Sequence, residues 1–240
     1  MRIVALALTL VVASTGYAVV IPNSAASVEA DGTFSLTTTT AAGRTFQMTI
    51  AAGQLTGLLN TNLNAIAFRL NGAATANWPP VDANIADWEI RIGAGVAPSA
   101  MSNTFASNFT GGSTLVRDGA LTFSAGSFTF GGSPNAFGPT LTFNNSSYLY
   151  SGGDLTIEMR FTAQTGATTQ VPLDAVLASG GPANGWGVDF SSRWTGDFAG
   201  ITGGNANFIV ADLRGEPVPE PATMVALGAG LVALARRRRK

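Results

Sequence analysis

The interior of this chain is interrupted too often to fold as anything but short strands. Leu155-Thr156-Ile157-Glu158-Met159-Arg160-Phe161 puts its apolar residues at odd positions, on one face of a pleated strand. Phe46, Met48 and Ile50 alternate likewise over Arg44 to Ile50. Shorter or less regular runs are Thr33 to Thr38, Ala65 to Leu70, Asp87 to Ile92, Leu121 to Phe130, Thr140 to Phe143, Trp186 to Phe190 and Asn207 to Leu213. Between them stand Asn71-Gly72, Gly111-Gly112, Asp118-Gly119, Gly131-Gly132 and Gly152-Gly153, which tolerate the positive φ of tight turns. Asp118-Gly119, between Leu115-Val116 and Leu121-Thr122-Phe123, predicts a hairpin. No long stretch has a 3.6-residue period, and Ala51 to Leu63 has room for a helical turn at most. The expected fold class is all-β, an antiparallel β-sandwich.

The two ends are built differently. Arg2 followed by apolar Ile3 to Val12, then Gly16-Tyr17-Ala18, reads as a signal peptide cleaved before Val19. A buried strand or helix is the alternative. At the other end, Val218-Pro219-Glu220-Pro221 precedes the uncharged stretch Ala222 to Ala235, and Arg236-Arg237-Arg238-Arg239-Lys240 follows. Fourteen residues make a helix roughly 21 Å long. A bilayer core is about 30 Å thick, so the span is short and needs local thinning or snorkelling arginines. Pro219 and Pro221 bar its extension. The terminal cations favour the cytoplasmic side, which leaves Pro219-Glu220-Pro221 at the outer face. A permanent anchor and a nucleic-acid-binding basic tail are the alternatives, the second disfavoured because the cations abut an apolar stretch.

A short motif, a transmembrane helix and an arginine-rich end, in that order, resemble the C-terminal sorting signal of PEP-CTERM proteins. The resemblance implies removal of the tail by an exosortase, a membrane cysteine protease of Gram-negative bacteria that make exopolysaccharide. It implies an inner-membrane-anchored precursor and a product at the cell surface or in the extracellular matrix. Parts of Arg44 to Phe161 also resemble a β-sandwich domain common in PEP-CTERM proteins. The matching pieces are Ile66 to Arg69, Trp88 to Ile92, Met101 to Asn108, Leu115 to Gly119 and Leu155 to Arg160. No catalytic residue comes with that resemblance. The expected organisation is a signal peptide over 1–18, a β-sandwich body over 19–217 and a sorting tail over 218–240, with its helix over 222–235 and basic end over 236–240.

Composition narrows the chemistry of the body. It holds seven arginines, no lysine and thirteen acids, a formal balance of −6. That argues against nucleic acid as a partner, because phosphate binding needs clustered positive charge. The chain has no cysteine and no histidine. No disulfide staples an exported fold, so a core must supply the stability. Without histidine there is no Ser-His-Asp or Cys-His machinery and no typical zinc or copper site. No cofactor is expected.

Few constellations remain. Asp87 and Glu89 share a strand face, as two carboxylates of a glycoside hydrolase would, but Trp88, Ile90 and Ile92 facing a core explain the same pattern. Asp82, Asp174, Asp189, Asp197 and Asp212 offer oxygen ligands for calcium without the 12-residue loop of an EF-hand, so no metal site is assigned. Trp186-Gly187-Val188-Asp189-Phe190 echoes Trp194-Thr195-Gly196-Asp197-Phe198. Trp186 and Trp194 are therefore candidate sugar-stacking residues, with cross-strand packing in a hairpin as the other explanation. The expected function is that of a non-catalytic surface or matrix protein associated with exopolysaccharide. The alternatives are a carbohydrate-binding module and, further off, a carboxylate-dependent hydrolase.

Overall fold

A computed structural model describes residues 16–218. Its strands begin with β1 (Tyr17–Ile21), β2 (Gly32–Phe34), β3 (Arg44–Ile50), β4 (Thr61–Phe68), β5 (Ala83–Ile85) and β6 (Trp88–Ala94). Then come β7 (Thr114–Arg117), β8 (Leu121–Phe123), β9 (Leu141–Thr142), β10 (Tyr148–Tyr150), β11 (Leu155–Phe161) and β12 (Gln164–Gly166). The last are β13 (Leu173–Val176), β14 (Phe190–Thr195), β15 (Gly204–Asn205), β16 (Phe208–Ile209) and β17 (Ala211–Pro217). Short 3₁₀ turns are the only helical pieces among the described residues, the seven-residue turn Ala52–Leu58 among them.

Six strands in the order β15-β14-β3-β11-β6-β7 form the largest sheet. A five-stranded sheet runs β1-β17-β4-β10, with β9 also against β4. Two three-stranded sheets, β12-β5-β8 and β16-β13-β2, complete the fold. Every ladder between these strands is antiparallel. The fold is therefore all-β and antiparallel, as expected.

The alternation read from the sequence sets the central register. Ile50, Met48 and Phe46 of β3 lie opposite Leu155, Ile157 and Met159 of β11. Those in turn face Ala94, Ile92 and Ile90 of β6. One face of the six-stranded sheet is therefore apolar and joins Leu63, Ile66 and Phe68 of β4 and Leu213 of β17 in one core. Two sheets sharing one core is consistent with a β-sandwich. Trp88 seals one side of it, stacked on Phe161 at 4.6 Å and meeting Phe123 edge-on. Trp78, Phe123 and Phe128 extend the aromatic cluster with centroids 5.3 to 5.7 Å apart.

Several expected limits shift. β3 and β11 start and end where the alternation does. Thr33 to Thr38 contributes only the short β2. Leu121 to Phe130 is cut after Phe123 by a turn at Gly126 (φ +69°), and Phe128 makes only an isolated bridge to Trp78. Trp186 to Phe190 is a turn rather than a strand, because Gly185 and Gly187 hold φ of +92° and +81° and β14 begins at Phe190. The Asp118-Gly119 hairpin is a correction of a different kind. β7 and β8 both form, but β7 pairs with β6 and β8 with β5, so the turn carries the chain from one sheet to another. The Gly119 carbonyl accepts a hydrogen bond from Trp88, which fixes that crossing on β6. The two tryptophan echoes likewise do not pair as a hairpin.

The first and last strands are partners. Tyr17 to Ile21 pair with Gly215 to Ala211, so β1 begins two residues before the expected cleavage at Val19. The other side of β17 pairs with β4, Pro217 opposite Thr61. Because β3 ends at Ile50 and the Ala52–Leu58 turn leads straight into β4, the start of β4, the end of β17 and the start of β1 share one pole of the body. The opposite pole holds the start of β3, where Thr45 lies opposite Thr195 at the end of β14.

Candidate functional site

Of the sorting motif, Val218 alone lies within the described residues. Its N–H donates to the Asn60 carbonyl at 3.3 Å, one residue beyond β17. Asn60 is itself in the left-handed region (φ +58°) and donates its N–H to Tyr150 at 2.8 Å. Asparagine accepts that conformation more readily than most residues. Pro219, Glu220, Pro221, the expected helix over 222–235 and Arg236 to Lys240 lie outside the described residues, as does the expected leader up to Thr15. Among the described residues no helix is long and apolar enough to cross a membrane.

Trp186 and Trp194 are both half-buried and lie near opposite ends of β14. Trp186 bridges beside Phe190, and Trp194 follows four residues later, about 13 Å along the strand. The Arg44 guanidinium carbon is 4.9 Å from the centroid of the Trp194 ring, which also meets Phe34 edge-on at 5.8 Å. Arg193 lies 5.5 Å from the Trp186 ring, and the indole N–H donates to the Ala206 carbonyl at 3.3 Å. Arg193 is held by the Met101 carbonyl and the Asn103 side chain at 2.8 and 2.9 Å. Each indole thus engages a cation within the body. Burial pulls the guanidinium pKa of both Arg44 and Arg193 below its ordinary value.

The second face of the six-stranded sheet is polar and partly covered. Gln47, Thr49, Thr156, Glu158 and Ser191 are buried under the segment from Pro98 to Asn108. The Asn108 amide donates to Gln47 Oε1 at 2.6 Å and to the Ser102 carbonyl at 2.9 Å, and its oxygen accepts the Ser102 N–H at 2.7 Å. Gln47 donates to the Phe105 carbonyl at 3.0 Å and to Glu158 at 2.9 Å. Thr156 donates to the Asn108 carbonyl and Ser191 to that of Pro98. Met101 to Asn108, Leu155 to Arg160 and Trp88 to Ile92, three pieces of the resemblance, meet here. Beyond the cover, Arg160 pairs with Glu158 at 2.8 Å and Arg91 with Glu89 at 3.2 Å. Arg91, Glu158 and Arg160 line an open cleft of about 360 Å³ beside Phe109.

The carboxylates divide between two arrangements. Asp87, Glu89 and Asp118 each bring an oxygen to within 4.8 Å of the others. Trp88, Ile90 and Ile92 are fully buried and Asp87, Glu89 and Arg91 are half-buried, the division expected for β6. Arg117 lies buried beside the cluster; burial lowers its pKa while Asp118 and Asp87 pull it back up. The five aspartates weighed for calcium are engaged separately. Asp82 accepts the Ala125 N–H, Asp197 that of Ala199, and Asp212 pairs with Arg214. Asp189 contributes to an open cleft that also includes Asp31. Asp174 is fully buried against Arg69.

That last pair had no signal in the sequence, since its partners stand 105 residues apart. Asp174 Oδ2 accepts Arg69 Nε at 2.8 Å and lies 2.7 Å from Nη2, with the two side chains 0 % and 1 % exposed. Arg69 Nη2 also donates to the Ala25 and Val28 carbonyls, and Asp174 Oδ1 accepts the Ala30 N–H at 3.1 Å. Glu29 completes the cluster. Burial pushes its carboxyl above the ordinary carboxylate range, against the pull of the Gly72 N–H, and the neighbouring Asp174 pushes it further. This network bolts the segment after β1 to β13.

No curated protein matches the chain, and no solved structure does. Residues 217–240, beginning at the last residue of β17, match the family model described as the PEP-CTERM protein-sorting motif.

Proposed function

We propose that this chain is a non-catalytic exported protein, delivered to the cell surface or extracellular matrix by its C-terminal sorting signal and associated there with exopolysaccharide. The observation that carries the reading is the match over 217–240, which supports sorting through an exosortase and a membrane-anchored precursor. In this reading Val218, Pro219, Glu220 and Pro221 form the recognised motif. The uncharged stretch over 222–235 holds the precursor in the inner membrane, and Arg236 to Lys240 set its orientation. The body over 19–217 is the β-sandwich cargo, released from a signal peptide over 1–18. Mass spectrometry of the extracellular protein from its native host tests this. A C-terminus near the motif supports it, and a surface form still ending at Lys240 overturns it.

The second reading is a carbohydrate-binding module. Half-buried Trp186 and Trp194 support it, because each leaves part of an indole open beside polar side chains. Titration with the host's exopolysaccharide is expected to quench tryptophan fluorescence, less so in Trp186→Ala and Trp194→Ala. Absence of any change with matrix polymers removes this reading. The proximity of Asp87, Glu89 and Asp118 is what a carboxylate hydrolase would use. Equal background turnover of polysaccharide by the protein and its Glu89→Gln variant would end that third reading.

A further inference from the structure

The exit of the sorting tail coincides with a cluster of exposed apolar side chains. Leu59, Leu149 and Val218 are each 40 to 52 % exposed. Val218 is bonded to Asn60, the residue after Leu59. Leu149 on β10 lies opposite Asn62, and the Asn60 N–H donates to the carbonyl of Tyr150, the residue after Leu149. Three large apolar residues from three separate segments therefore gather at the point where β17 ends. Single exposed apolar residues are ordinary, whereas a group gathered at one pole marks a contact surface.

The chain beyond the pole says what that contact is. Only Val218 to Pro221 separate Pro217 from the uncharged stretch that starts at Ala222. Four extended residues reach roughly 13 Å. The headgroup layer to be crossed is itself about 5–8 Å thick on each side of the hydrocarbon. A body tethered this closely has its pole at the lipid surface.

We propose that the pole formed by Leu59, Leu149 and Val218 is a membrane-seated surface of the precursor. It rests on the reading of 218–240 as a membrane-inserted tail. The partner is the interfacial layer of the bilayer, entered by apolar side chains as interfacial anchors are. The contact is apolar rather than electrostatic, since the body has no lysine and a negative balance. Seating the pole fixes the body's orientation and presents Val218 to Pro221 at the depth where a membrane-embedded protease works.

The absence of cysteine allows a direct test on the full chain. Single cysteines are placed by Leu59→Cys, Leu149→Cys and, as an exposed polar substitute at the same pole, Ser151→Cys. Ile201→Cys reports the opposite pole, just past the end of β14. Each labelled chain is reconstituted into phosphatidylethanolamine–phosphatidylglycerol vesicles and floated, and its dye is challenged with spin-labelled lipid. The expected result is severalfold stronger quenching at 59, 149 and 151 than at 201. Floated chains quenched equally at all sites, or at none, overturn the seated pole while leaving the tail's insertion intact. A chain that does not float refutes the tail reading, and the seated pole with it.

Discussion

Replacing Asp174 with leucine is expected to destabilise the protein more than most single changes would. The carboxylate is fully buried and its partner Arg69 is 1 % exposed, so solvent cannot take over the guanidinium when the acid is removed. Removing one member of such a pair costs about 3–5 kcal/mol. For a body of this size each kcal/mol lowers the Tm by about 2–4 °C, giving a loss of roughly 6–20 °C. Adding Arg69→Met to Asp174→Leu removes the stranded charge. It also leaves the Ala25 and Val28 carbonyls without their donor, so recovery is partial, about 1 kcal/mol or more. Thermal unfolding of the full chain in detergent, followed by circular dichroism, measures all three variants. Hydrogen exchange supplies a local readout: the Ala30 N–H, bonded to Asp174, is expected to lose protection in both variants that lack the acid. A double variant less stable than Asp174→Leu alone would refute the reasoning. It would mean that the carbonyl bonds, and not the ion pair, hold the segment after β1.

Glu29→Gln is expected to raise the Tm at neutral pH. Burial lifts the Glu29 pKa, so its protonated form favours the fold at low pH and that contribution is lost as pH rises through the lifted value. Titrating both proteins in parallel by calorimetry should show the gain vanish below the ordinary carboxylate range; a gain independent of pH contradicts the assignment. Asn108→Ala leaves the Ser102 N–H and Gln47 Oε1 without partners and is expected to cost about 2–4 kcal/mol by denaturant titration, with exchange protection lost first over 98–108. Gly95→Ala places a Cβ 2.5 Å from Thr156 Oγ1 and 2.8 Å from the Leu155 carbonyl carbon, an overpacking worth about 1–3 kcal/mol in the same titration. N-terminal sequencing of the exported protein is expected to begin at Val19, leaving Val19 to Ile21 to pair with Leu213 to Ala211.

Legibility in the sequence followed the range of the interaction. β3 and β11 could be delimited because strict alternation is a local signal, and the sorting motif because it is contiguous. Trp186 to Phe190 misled, since an aromatic–apolar run does not reveal that Gly185 and Gly187 bend it. Asp118-Gly119 signalled a reversal correctly but could not say which sheets its two flanks would join. Nothing in the run around Asn108 announces that folding buries its amide against Gln47, 61 residues away. The Arg69–Asp174 pair could not be read at all, because nothing near either residue differs from an ordinary surface charge. The apolar pole was equally hidden: Leu59, Leu149 and Val218 become neighbours only through the register of β10, β4 and β17.

The partnership of β1 with β17 bears on when the domain can exist. A chain that emerges N-terminus first must leave Tyr17 to Ile21 waiting for a mate some 190 residues downstream. Loop closure over that distance makes the final zipping late and slow. Until then the segment around Ala18 stays an open ribbon, the form in which the cleavage proposed before Val19 would reach it. Once the clasp shuts, the same bond is woven into a sheet. The topology therefore acts as a timer, granting access to the front of the molecule only while its back is still arriving.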